Sequence, residues 1–368
     1  MSFAPPTDLA PVVDDMSVYI LPGRVKPERE VGRGYTSISR LWDDAADAER
    51  LGFRGVFLSE RHSLKDAGAV LGGVAARTTR LEVGTGATSA RARREIVLAG
   101  FGATMQALNG PRLNIGLGRG DALWQGGGLM GFDGFVDYAR ILRRLWAGET
   151  VTYDGPAGSC TNLRMDDQLG DVPPPKLWYF VIGGGPLAAK AAADPVWDGV
   201  VLYPFLTHEA VERAIGRIHR ECEIQGRDPS TLEISHCITT APDLDDVETR
   251  AICHARLVTY LAWPKFGEAI AKANGWGTDV INKLRNHPQL QSLGAAKPAD
   301  QAFHRIELLD VAKLIPESYI DETCGVGTAE HCAKQIASFR GLGAQHTILY
   351  GSTPSQNGEL INIWRDLR

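Results

Sequence analysis

Short apolar runs alternate with helix-period patterns along nearly the whole chain, and this alternation limits the fold more than any other feature. Residues 18–21, 55–59, 81–85, 113–117, 178–182, 200–203, 232–239 and 347–350 are each short and mostly apolar. Amphipathic stretches lie between them. Leu41, Ala45, Ala48 and Leu51 share one helical face, Asp43, Asp44, Asp47 and Arg50 lie off it, and Gly52 follows as a stop. Further helices are expected over residues 95–108, 136–146, 187–193, 209–224 and 329–339, the last capped by Thr328 with Glu330 in its first turn. Strand and helix in regular alternation imply a parallel sheet. Eight strand candidates suit a closed (β/α)8 TIM barrel better than an open doubly wound sheet, although alternation alone does not separate the two.

A barrel takes about 250 residues. The chain has 368, and two stretches fall outside the repeating unit. Residues 150–175, rich in Gly, Pro and Asp, read as an extended excursion. Residues 244–322 read as a long, mostly helical insertion before the last strand. Residues 1–15, with Pro5, Pro6 and Pro11, read as a flexible tail, and residues 16–368 as a single domain.

Composition removes several classes of function. The net charge is −5, without the basic excess of a nucleic-acid binder. No apolar run reaches the roughly 18 residues that a membrane span needs, and the N-terminus lacks a basic start and apolar stretch. A cytoplasmic protein is the expectation. The six cysteines include no pair at the two-residue spacing of zinc or redox sites. The adjacent pairs His236–Cys237, Cys253–His254 and His331–Cys332 diverge on strand or helix, so they read as reduced thiols and no metal is expected.

In a barrel the active site forms at the C-terminal strand ends. Four such places concentrate glycine and titratable groups. They are Ser59-Glu60-Arg61-His62, Gly84-Thr85-Gly86-Ala87, the run Gly116-Leu117-Gly118-Arg119-Gly120-Asp121, and Gly183-Gly184-Gly185-Pro186. His62 is the leading acid/base candidate because an imidazole titrates near neutrality, and Glu60 stands beside it. Asp121 reads as a second acid or as a helix cap. The run from Gly116 to Gly120 has the wrong spacing for a dinucleotide fingerprint, and its glycines suit close packing under a flat ring. The turn at Gly183 to Pro186 is either a phosphate cradle at a helix start or a plain tight turn. Arg91, Arg93 and Arg94 read as a solvated helix start, with an anionic cofactor tail as the alternative.

Taken in order, these segments resemble the luciferase-like superfamily of flavin- and deazaflavin-dependent oxidoreductases. The resemblance runs through Ala48-Glu49-Arg50-Leu51-Gly52-Phe53, Thr79-Arg80-Leu81-Glu82-Val83-Gly84-Thr85-Gly86, Trp146-Ala147-Gly148-Glu149-Thr150, Val326-Gly327-Thr328-Ala329-Glu330 and Leu342-Gly343-Ala344-Gln345-His346. The segment from Ile182 through Gly183, Gly184, Gly185 and Pro186 to Lys190 is most similar to the branch that uses coenzyme F420, a 5-deazaflavin. The resemblance implies that these residues hold the cofactor phosphate, and that Thr85, Gly86, Ala87, Gly118 and Arg119 lie against its ring. It implies a non-prolyl cis peptide between Gly86 and Ala87, His62 as proton partner, Asp121 as an active-site acid, a small-molecule substrate and a homodimer. Three features depart from the sugar-phosphate dehydrogenases of that branch. Residues 202–206 lack their lysine, the loop after His62 lacks their tryptophan, and Arg119 stands where they have a small residue. The competing readings are an FMN-dependent monooxygenase and a cofactor-binding barrel without turnover.

Overall fold

The computed structural model describes residues 8–20, 40–61, 65–121, 128–293 and 297–367. Eight parallel strands form a closed barrel: β1 (Met16–Tyr19), β2 (Gly55–Leu58), β3 (Glu82–Ser89), β4 (Leu113–Gly118), β5 (Lys176–Val181), β6 (Gly199–Leu202), β7 (Glu233–Pro242) and β8 (His346–Tyr350). Each pairs with its neighbours in chain order, and β1 closes on β8 through Met16 opposite Thr347. All eight coincide with the apolar runs of the sequence. The surrounding helices are α1 (Leu41–Leu51), α2 (Ala67–Arg77), α3 (Glu95–Asn109), α4 (Phe132–Trp146), α5 (Pro186–Ala192), α6 (His208–Ile224), α7 (Ala329–Arg340) and α8 (Gly358–Asp366).

The helix ends follow local chemistry. Gly52 closes α1 at φ 84°, a left-handed conformation in which a side chain is strained. Thr207 caps α6 and Thr328 caps α7, each hydroxyl accepting a backbone N–H of the first turn. Helix α2 was not among the helices expected from the sequence. Its glycines lower helix propensity by about 1 kcal/mol each, which hides the period. Gly73 is there for contact: a Cβ would stand 2.8 Å from the Trp42 ring of α1. Asp66 starts α2 by accepting the Ala69 N–H at 2.8 Å.

Three apolar cores result. The largest lies between the strands and the helix ring. A second fills the barrel, where Tyr19, Phe57, Trp178, Phe180, Val201, Cys237, Ile348 and Tyr350 converge. The third belongs to the insertion, which comprises short helices from Asp246 to Asp321 around Leu257, Val258, Ile270, Leu284 and Val311. The long strand β7 explains where the insertion sits. Its first residues pair with β6, and its last four pair with a further strand, Cys324–Gly327, that was not expected. The Asp243 N–H then bonds the Gly327 carbonyl at 2.8 Å. The insertion therefore leaves and returns at the C-terminal end of one strand, which holds it over that mouth of the barrel.

Two further stretches differ from expectation or refine it. The excursion after α4 contains an antiparallel pair, Val151–Gly155 with Gly158–Leu163. The supposed tail is docked over residues 8–15. Val13 is buried and bridges Phe53, and Asp15 holds both Arg340 and the Trp364 indole. Prolines made this segment look unstructured, but its partners come from distant elements. Residues 1–7 lie outside the described residues.

Candidate active site

A cavity of about 640 Å3 opens at the C-terminal ends of the strands. Ser59 to Arg61 after β2, Gly86 to Ser89 of β3, Gly118 at the end of β4 with Arg119 after it, and Tyr203 after β6 form its floor and walls. The insertion roofs it with Tyr260, Trp263, Lys265 and Phe266. The lining is dominated by aromatic and small residues, which suits a flat, largely apolar occupant.

The wall at β3 is a bulge. The ladder with β4 shifts between Thr85 and Thr88, and the Gly86–Ala87 peptide is cis, as the family resemblance implies. Tyr19 donates its hydroxyl to the Gly86 carbonyl at 2.8 Å, and Ser59 donates to the same oxygen at 3.2 Å. Only glycine fits at 86, because a Cβ would stand 2.3 Å from the Tyr19 hydroxyl. Ala87 and Gly118 face the cavity, and a Cβ at Gly118 would meet nothing nearer than 3.8 Å. Thr85 lies behind the wall, donating its hydroxyl to the Gly116 carbonyl at 2.8 Å. Gly116 is also a packing glycine, since a Cβ there would collide with the Thr85 carbonyl and Phe180.

The glycine run after β5 divides in two. Ile182, Gly185 and Pro186 line the cavity. Gly183 and Gly184 do not; they take φ values of 59° and 55° and press against neighbours. A Cβ would meet Ala273 of the insertion at 2.5 Å or Ala214 of α6 at 2.9 Å. These two glycines thus allow a tight turn between the insertion and α6, and the turn delivers Gly185 to the cavity at the start of α5.

The expected reacting groups fare differently. His62 lies outside the described residues. Asp121 ends a two-residue strand whose backbone pairs with Gly128. Glu60 is a buried anchor. Its carboxylate accepts from the Arg93 guanidinium, the Thr88 hydroxyl and the Ala67 N–H. Burial alone would raise its pKa, but those three donors outweigh it and hold the group below the ordinary carboxylate range. Arg93, expected to be solvated, is therefore corrected. Its side chain is only 13% exposed and ties β2, β3 and the start of α2 together through Glu60 and Asp66. Arg119 lines the cavity, bonding the Met130 carbonyl at 2.8 Å and lying 3.7 Å over the Phe132 ring.

Arg61, the next residue, faces a second network. It grips Asp300 of the insertion with two hydrogen bonds, one at 2.8 Å. Arg256 stands 3.5 Å from the same carboxylate and donates to the Tyr350 hydroxyl at 2.8 Å. Burial would raise the Asp300 pKa, but Arg61, Arg256 and Arg305 together keep it low. Burial, and then the charge of Arg61, push the Lys65 ammonium down to about 8.

The family pattern described as luciferase-like monooxygenase matches residues 16–346, nine-tenths of the chain. The chain belongs to that family. Among relatives of this luciferase-like oxidoreductase is a phthiodiolone/phenolphthiodiolone dimycocerosates ketoreductase of Mycobacterium tuberculosis. The two are 25% identical over 334 residues, covering 86% of this chain and 80% of that protein. An F420-dependent glucose-6-phosphate dehydrogenase of Beutenbergia cavernae is 35% identical over 171 residues, 42% of this chain and 49% of that one. The solved F420-dependent tetrahydromethanopterin reductase of Methanopyrus kandleri superposes with a TM-score of 0.70 at 17% identity, covering 96% and 97% of the two chains. That superposition carries the fold: this luciferase-like chain is a (β/α)8 barrel.

The rule that active-site groups sit at the C-terminal strand ends reaches beyond the four segments named from the sequence. Tyr203 after β6 and Tyr350 at the end of β8 satisfy it equally and were within reach. Tyr260, Trp263, Lys265, Phe266 and Asp300 come from the insertion, where no local signal pointed to the cavity.

Proposed function

We propose that this chain transfers a hydride between coenzyme F420 and a small organic substrate, with His62 as the proton partner. The observation that carries the reading is the convergence of the Gly86–Ala87 bulge, the open Gly118 and the Gly185–Pro186 turn on one cavity under the insertion. Those residues fit a flat deazaflavin. Gly118 and Gly185 present bare backbone, and a Cβ at Gly185 would meet nothing within 4 Å, leaving room for a ligand. The F420 dependence named for the Beutenbergia and Methanopyrus proteins supports the choice over FMN.

F420, when bound, supplies a carbon-centred two-electron hydride donor or acceptor. The chain does the rest. The bulge, braced from behind by Tyr19 and Ser59, backs the ring. Gly185 and Pro186 hold the phosphate. The aromatic roof from Tyr260 to Phe266 excludes water. A neutral His62 imidazole takes the proton from a substrate hydroxyl during oxidation, and the imidazolium gives it back to the oxygen during reduction. Asp121 is the second candidate for that role, and Glu60 acts through the wall it anchors. A homodimer belongs to the same reading, and a monomer mass in light scattering would remove that part.

The test is a titration of the purified protein with F420 and with FMN. F420 is expected to bind more tightly; equal or stronger FMN binding would turn the reading toward a flavin monooxygenase. Gly185→Asp should weaken F420 binding without disturbing the fold, because the added side chain enters open space and carries negative charge. Unchanged affinity would detach this turn from the cofactor. His62→Ala should lower turnover by about 10²–10⁴ while leaving F420 affinity unchanged. Turnover within a few-fold of wild type would pass the role to Asp121.

A further inference from the structure

At the end of β8, where the barrel core meets the cavity, one hydroxyl is polarised from two sides. Arg256 donates a hydrogen bond to the Tyr350 oxygen at 2.8 Å, and Tyr260 donates its own hydroxyl to the same oxygen at 3.0 Å. A phenol hydroxyl both accepts and donates, and it has one proton to give. Among the described residues the Tyr350 oxygen accepts from Arg256 and Tyr260 and its proton goes to none of them, which leaves it for a group in the cavity. Donation received by a hydroxyl strengthens the donation it makes. Tyr350 and Tyr260 both line the cavity. Arg256 is fixed in turn by Asp300, which Arg61 grips from β2.

The position of Tyr350 relates it to the bulge. Its ring stands edge-on to Tyr19, 4.8 Å between centroids, and Tyr19 is the residue that braces the Gly86 carbonyl. We infer that Tyr350 is a substrate-binding residue whose hydroxyl donates a hydrogen bond to the oxygen of a neutral carbonyl or alcohol substrate. The inference rests on the proposed hydride transfer and names the substrate class for it. The rings beside the hydroxyl, Tyr19 and Tyr260, favour a neutral group there. Of the cavity's cations, Arg61 pairs with Asp300, Arg119 bonds the Met130 carbonyl and Lys265 lies in the roof. Phe180, Tyr203, Trp263 and Phe266 share the cavity, and the guanidinium groups of Arg61 and Arg256 already face Asp300. Arg256 and Tyr260 are positioning residues, acting through the Tyr350 hydroxyl.

The test uses the full-length protein and cyclohexanone as probe, read by difference infrared spectroscopy of the C=O stretch and by isothermal titration. In wild type the bound ketone should absorb at lower wavenumber than in Tyr350→Phe, which keeps the ring and removes the donor. The variant should bind cyclohexanone roughly three- to tenfold more weakly. Tyr260→Phe, which leaves Tyr350 in place, should move the band part of the way, a change that mere loss of packing would not produce; it also serves if Tyr350→Phe does not fold. An unmoved band in both variants overturns the inference. So does a wild-type protein that binds no cyclohexanone, or one that binds cyclohexanecarboxylate more tightly. F420 titration of the same proteins separates the two claims. Normal F420 binding with an unmoved band sinks the Tyr350 role alone, whereas a moved band without F420 binding sinks the cofactor reading alone.

Discussion

Glu60 and Arg61 are consecutive residues after β2, and they serve two buried networks built on opposite plans. Glu60 is a lone carboxylate surrounded by donors. Arg93, Thr88 and Ala67 all belong to the first half of the barrel, so this network locks α2 and α3 to the cavity wall. Arg61 joins a cation-rich group in which Arg61, Arg256 and Arg305 gather around the single carboxylate of Asp300. That network spans the barrel and the insertion, and Arg305 adds a bond to the Gly351 carbonyl beyond β8. One network makes a rigid wall; the other fastens the roof. A site that needs both a fixed ring-binding surface and a separate lid gains from keeping the two fastenings apart.

The largest effect should come from removing the shared carboxylate. Asp300→Asn leaves three buried guanidinium groups without their common counter-charge, and breaking a buried pair in this way costs about 3–5 kcal/mol. Urea unfolding at pH 7 measures it. Protease cleavage within the insertion should rise in parallel, and a variant as resistant as wild type would show that Asp300 does not hold the roof.

Glu60→Gln should cost less, about 2 kcal/mol. The amide keeps an acceptor oxygen, and Arg93 retains Asp66. A loss equal to that of Asp300→Asn would erase the distinction between the networks. The sign of the pH dependence follows from the low pKa of Glu60 in the folded state. Its stabilisation is fully present above the unfolded carboxylate value, near 4.3, and is lost as pH falls through the lower folded value. Wild-type stability should thus decline in acid below about pH 4, and the Glu60→Gln variant should decline less steeply. Parallel curves would mean that Glu60 is not held ionised by folding.

The smallest effect tests the outer edge of the wall. Tyr138 of α4 donates to the Arg93 carbonyl at 2.7 Å. Tyr138→Phe should cost about 1 kcal/mol in urea unfolding and leave F420 affinity unchanged. A marked loss of cofactor affinity would make Arg93 part of the binding surface itself.

The contrast between these networks also marks how far the sequence could be read. Glu60 is legible in the sequence as a titratable residue at a strand end, but its partner Arg93 lies 33 positions away. Arg61 is legible only as part of the same segment, because its partner Asp300 is 239 positions away. In the sequence the turn at Gly183 to Pro186 is either a phosphate cradle or a plain tight turn. Positive φ values and the nearness of Ala273 and Ala214 set Gly183 and Gly184 in a tight turn, a matter of which helices lie alongside. Helix α2 is hidden because its glycines lower helix propensity, and one of them, Gly73, makes room for Trp42.

By itself the sequence determined the eight barrel strands, most of the helices around them, the position of the insertion and the cis bulge between Gly86 and Ala87 implied by family resemblance. The strands and helices rest on local rules: an apolar run of strand length, a helical period, a capping Thr or a terminal Gly. Tertiary structure alone decided that residues 8–15 dock on the barrel, that the insertion roofs the cavity, that Glu60 is an anchor, and that Tyr350 receives two hydrogen bonds at the cavity's edge. Each of these depends on groups brought together by barrel closure from distant parts of the chain. Burial then sets the energy of every charge and hydroxyl among them, and burial is a property of the whole fold.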